Sequence, residues 1–136
     1  MTTSTSTYSG ELRTQSVHTQ SGETYITDAP TDNEGKGEAF SPTDIVATSL
    51  ANCMMTIMGI VSKRKGLAIE GTEAKIDKFM GTGPRRITEI KIDFYFPLNF
   101  SEDERKLLEK SALNCPVAKS LSSDLKQNIQ FHYPSP

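Results

Sequence analysis

The chain has 136 residues, enough for one compact domain whose core needs no disulfide staples. Its 17 acidic and 15 basic residues leave a net charge of −2, spread without a basic block or stripe, which argues against a nucleic-acid partner. The two cysteines form no CxxC and the two histidines stand apart, so no metal-ligand spacing is present.

The first seven residues are a Ser/Thr run with neither a basic nor an apolar region, and read as a short disordered tail rather than a secretory signal. Residues 8–136 then read as a single domain. Tyr8 to Thr19 and Glu23 to Asp28 have strand character, with a turn at Gln20-Ser21-Gly22. Ala29 to Gly37 is dense in turn formers and reads as a loop. A helix follows. Ser41 is suited to its N-cap, Pro42 to its first position, and Asp44 to the third position of a capping-box-like pattern. Lys63, Arg64 and Lys65 suit its negative end, and Gly66 its left-handed cap.

From Pro42 to Lys65 this helix would be about 36 Å long. It has no charge between Ile45 and Ser62, but Thr48, Ser49, Asn52 and Thr56 interrupt the apolar run. The expectation is a core helix buried on most sides, not a membrane span. Cys53 falls at its middle.

Leu67 to Met80 reads as a strand with a bulge near Gly71. Arg86 to Phe96 is the clearest strand, with Ile90, Ile92, Phe94 and Phe96 on one face. Ser101 and Glu104 form a capping box for a second helix. Pro116 opens a short third helix, and Ile129, Phe131 and Tyr133 alternate as a last strand. The order is that of an α+β domain.

Two residues stand out chemically. A free cysteine such as Cys53 packs readily as a small hydrophobe, or acts as a thiol. Cys115 precedes Pro116 at a helix start, where free N–H groups and the helix dipole favour a thiolate. In the absence of an export signal, the compartment is expected to be reducing and cytoplasmic. Met54, Met55 and Met58 are core filling that also offers an apolar setting for Cys53.

The run from Ser41 to Cys53, SPTDIVATSLANC, resembles the segment leading to the reactive cysteine of the OsmC/Ohr family. Asn114-Cys115-Pro116-Val117 resembles that family's second cysteine, and the likeness extends from about Tyr8 to Tyr133. The resemblance implies an α+β fold in which an antiparallel sheet wraps a long central helix carrying Cys53, in an intertwined homodimer. It also implies a peroxidase for organic hydroperoxides. Cys53 would attack the peroxide and become a sulfenic acid, and Cys115 would resolve it as a disulfide. No bound cofactor is implied; an external dithiol, of lipoyl type, would reload the enzyme. Arg13 corresponds to the arginine that the Ohr branch pairs with its reactive cysteine. Thr43 stands where that branch has a glutamate, Asp44 is committed to capping, and no spacing selects Glu38. The competing reading is a binding or stress protein of the same fold without efficient turnover.

Overall fold

The computed structural model describes residues 1–135, in the order β1 (Ser4–Gly10), β2 (Arg13–His18), β3 (Thr24–Asp28), a 3-10 turn at Thr31–Asn33, α1 (Pro42–Lys65), β4 (Glu73–Gly81), β5 (Arg86–Tyr95), α2 (Glu102–Leu113), α3 (Pro116–Ser120) and β6 (Lys126–His132). It is an α+β fold with two three-stranded sheets. The chain divides into two compact units, one from Met1 to Val46 and the other from Ala47 onward.

In the first unit, β1, β2 and β3 form an antiparallel meander. The expected disordered tail is corrected here, because β1 begins at Ser4 and pairs with His18. The single strand expected from Tyr8 to Thr19 is instead a hairpin that turns at Glu11 and Leu12, both at positive φ (53° and 63°). Two-residue hairpin turns require that conformation and usually advertise it with Asn-Gly or Asp-Gly. Glu-Leu carries no such signal, so the turn was hidden. Hydroxyls knit the meander: Ser6 and Ser16 share a hydrogen bond of 2.7 Å, and Thr14 bonds Thr27. The loop after β3 folds back tightly, and a Cβ on Gly35 would lie 1.7 Å from the carbonyl oxygen of Ala29.

Helix α1 starts as its sequence dictates. The Asp44 N–H donates to Ser41 Oγ at 3.1 Å, and the Ser41 N–H donates to Asp44 Oδ2 at 3.0 Å. This reciprocal pair satisfies two donors that a helix N-terminus leaves open. At the other end Gly66 takes φ 69°, and the Leu67 N–H closes on the Ser62 carbonyl at 2.9 Å. The helix is long enough, and at a mean hydropathy of 1.7 apolar enough, to cross a membrane. Its buried residues nevertheless form one stripe, Ala47, Leu50, Ala51, Met54, Met58 and Ser62, packed at three- and four-residue spacing. Burial on most sides was expected; within this chain only the stripe is covered, and Ile60 is exposed.

The second unit has the core. The stripe of α1 meets Ile90, Ile92, Phe94 and Phe96 from β5 and its end, with Leu108 and Ala112 of α2 and Cys115. Phe94 stacks on Phe131 of β6 at 5.5 Å between ring centres. The opposite face of β5 holds Asp93, which accepts from or shares a proton with His132 Nε2 at 2.9 Å. β4 pairs antiparallel with β5, but β6 joins β5 in parallel, so this sheet is mixed rather than wholly antiparallel. The strand expected from Leu67 is shorter than its sequence suggested. Thr72 turns back on the Ile69 carbonyl through both its N–H (3.0 Å) and its hydroxyl (2.6 Å), and β4 starts only at Glu73. Leu67 and Ile69 still pack on the core, which explains their apolar pattern without a ladder. The capping box of α2 is formed on both sides by Ser101 and Glu104.

Candidate active site: a reduced dithiol

The second unit brings the two cysteines together. Cys53, partly exposed, sits eleven residues into α1 and packs against the core cluster, of which Cys115 is a member. Both are free thiols, and they neighbour each other in that core. Residues 62 positions apart in sequence meet because α1 and the α2–α3 corner share one core.

Cys115 is the N-cap of α3. Its own N–H donates to the Ala112 carbonyl at 3.2 Å, while its Sγ accepts from the Ala118 N–H at 3.4 Å. The helix-start thiolate expected for it does not follow. Burial raises the Cys115 pKa above the ordinary thiol value, and the hydrogen bond and charge of Cys53 raise it further, against the lowering effect of the Ala118 and Val117 N–H groups. Two features defeat the helix-start argument. The sulfur is 0% exposed, and α3 has only five residues. A thiolate in an apolar interior loses its hydration, and two N–H groups replace little of it. Burial thus disfavours the Cys115 thiolate despite its place at a helix start.

The methionines divide by helix face. Met54 and Met58 are fully buried in the core stripe, and Met55 is half-buried beside it. They fill the core, as their sequence spacing predicts.

Arg13 belongs to the first unit. It opens β2 directly across from Asp28 of β3. Its guanidinium bonds the Glu38 carboxylate and lies 3.6 Å from Asp28 Oδ2. Asp28 is 1% exposed, and its carboxylate also accepts the Glu38 N–H at 3.0 Å. Asp28 thus ties the strand arginine to the loop that presents Glu38. Thr43, at the position where a glutamate was sought, bonds Ser41 Oγ at 3.2 Å. The carboxylates beside Arg13 are thus Glu38 and Asp28, and Thr43 contributes none. The Arg13–Asp28 pairing was open to a register argument once the hairpin was placed; nothing local marked Glu38.

The second unit thus sets a buried thiol beside a more accessible one. The family model for OsmC-like protein matches residues 35–130, and the chain belongs to that family, which supports a stress or redox role. A putative osmotic stress induced and detoxification response protein from Psychrobacter arcticus 273-4 is 49% identical, with a TM-score of 0.94 over 97% of this chain and 96% of that one. The fold also matches organic hydroperoxide resistance proteins from Legionella pneumophila (13% identity, TM-score 0.69, 99% and 98% of the two chains) and Elizabethkingia anophelis (14%, 0.75, 98% of both). No curated protein matches the chain.

Proposed function

We propose that the protein is a two-cysteine peroxidase for organic hydroperoxides. The observation that carries this reading is the thiol pair itself: a fully buried Cys115 beside a partly exposed Cys53, both free. Cys53, as thiolate, attacks the terminal oxygen of ROOH. The O–O bond breaks, the oxygen that leaves as RO⁻ takes a proton from solvent to give the alcohol ROH, and Cys53 becomes a sulfenic acid. The Cys115 sulfur then attacks the Cys53 sulfur and expels water, forming a disulfide. An external dithiol, of lipoyl type, reduces that disulfide by exchange and closes the cycle. Arg13, held by Glu38 and Asp28, is the cation proposed to orient the peroxide and stabilise the departing oxygen. The neighbours named organic hydroperoxide resistance proteins favour this substrate class over hydrogen peroxide, as does the apolar helix that carries Cys53.

The setting proposed is a reducing cytoplasm, and the working form a homodimer. The first unit supports the dimer. Among the described residues none of its apolar side chains is fully buried, and Ile26 (52%) and Phe40 (56%) are exposed. A three-stranded sheet with so little core needs cover. The test is peroxide consumption with a dithiol reductant, comparing cumene hydroperoxide with hydrogen peroxide. A higher kcat/KM for the organic substrate is expected. No turnover with either, in a protein whose thiols titrate normally, would favour the binding-protein reading.

A further inference from the structure

The far end of α1 has a second feature that the thiol chemistry does not use. Gly59, Ser62 and Lys63 of the helix, with Leu67, Ile69 and Glu70 of the following segment, line a cleft of about 390 Å³. That is within the range of small-molecule sites, roughly 300–1,000 Å³. Ser62 lies nine residues beyond Cys53, roughly 13 Å along the helix at 1.5 Å per residue, so the cleft is separate from the dithiol.

Three observations mark it. Ser62 is 2% exposed, and its Oγ is the buried side-chain polar atom left without a hydrogen-bond partner among the described residues. A buried hydroxyl without a partner is destabilising, and alanine at the same place would avoid it. Gly59 sits inside a helix, where glycine is less stable than alanine. Packing does not demand it, because a Cβ there would meet nothing within 4 Å. Finally, the lining has one cation, Lys63, and one anion, Glu70, beside the apolar Leu67 and Ile69. The charges balance, so neither a net anion nor a net cation is selected.

We propose that this cleft is a ligand site for a neutral, medium-sized alcohol. Its hydroxyl pairs with Ser62, and its apolar body lies over Leu67 and Ile69 in the space that Gly59 leaves open. One unsatisfied group asks for one hydrogen-bonding group on the ligand. The site stands whether or not the protein is a peroxidase.

The test uses the reduced full-length protein, 15N-labelled, titrated with 2-phenyl-2-propanol and with cumene, its counterpart without the hydroxyl. Saturable amide shifts at Gly59, Ser62, Leu67 and Ile69 are expected, with the alcohol binding roughly two- to tenfold tighter than cumene. Ser62→Ala should erase that difference while keeping the fold. Gly59→Leu should fill the cleft and abolish the shifts. Should Gly59→Leu not fold, Ser62→Ala decides alone. The proposal is overturned by an absence of saturable shifts, by equal affinity of the two probes for wild type, or by a fall in solution mass on Gly59→Leu. The last result would make the cleft a contact between copies of the chain.

Discussion

The sheet of β1, β2 and β3 buries Ser16, Thr27 and Asp28, whereas the sheet of β4, β5 and β6 buries Ile90, Ile92 and Phe94. Both have three strands, yet they hold their shape by different means. The first relies on hydroxyl pairs and on the Arg13–Asp28–Glu38 ion pairs; the second is bonded to a helix stripe through a dry apolar layer. The difference teaches what kind of group each sheet can hold. The dry interior around Cys115 raises its thiol pKa, because a thiolate there would lose its hydration. A charged arginine requires the opposite, a half-exposed edge where carboxylates hold it without a large desolvation cost.

The largest effect expected from breaking one region is on the dithiol. Cys53→Ser should lower peroxide turnover by about a thousandfold or more, since no other nucleophile replaces it. Cys115→Ser should keep the first turnover and lose recycling, seen as a single stopped-flow burst. Equal burst rates in wild type and Cys53→Ser would reverse the roles.

The contrast between the sheets has its own measurement. Phe94→Ala should cost about 3–5 kcal/mol in urea unfolding, as expected for a large buried aromatic. Ile26→Ala should cost less than about 1 kcal/mol of monomer stability, because its side chain is half-exposed within the chain. Ile26→Asp should instead lower the solution mass by weakening the proposed dimer. Similar unfolding costs for the two alanine variants, at a concentration where both are monomeric, would remove the distinction.

Much of this was legible in the sequence, and the failures have causes. The helix around Cys53 was readable because Ser41, Pro42, Asp44 and Gly66 punctuate it with residues of known geometry. Strand β5 was readable because Ile90, Ile92 and Phe94 alternate. The hairpin at Glu11-Leu12 was not, since two ordinary residues occupy a left-handed turn. Nor was the parallel pairing of β6, because a period of two does not record strand direction. The pairing of Cys53 with Cys115 came from resemblance; no local pattern encodes a contact 62 residues apart. The upward shift of the Cys115 pKa was missed because helix position was visible and burial was not. Glu38 escaped because its partner is fixed by a loop closing on Asp28.

Two smaller effects sharpen the comparison. Arg13→Met should reduce kcat/KM for cumene hydroperoxide by about 10- to 100-fold, a loss of transition-state charge stabilisation. It should leave the Phe94 core and its unfolding slope unchanged. An unchanged kcat/KM would confine Arg13 to holding its sheet. The smallest effect is on alkaline stability. The folded pKa of Cys115 is raised above the ordinary thiol value of 9.0. Its contribution is therefore fully present below that value and is lost as pH rises through the folded pKa. In reducing buffer, the thermal midpoint should fall more steeply above pH 9 for wild type than for Cys115→Ser. Parallel curves would mean that the thiol is not held neutral by the fold.

The central claim is that Cys53 and Cys115 act as one redox pair. One equivalent of cumene hydroperoxide added to the fully reduced protein, followed by alkylation and non-reducing peptide mapping, tests it directly. The account predicts loss of both thiols and one cross-linked peptide pair from within a single chain, Cys53 to Cys115. Recovery of Cys53 as a sulfenic acid, or as a sulfinic acid once a second equivalent is added, with Cys115 still alkylated as a free thiol, would contradict it.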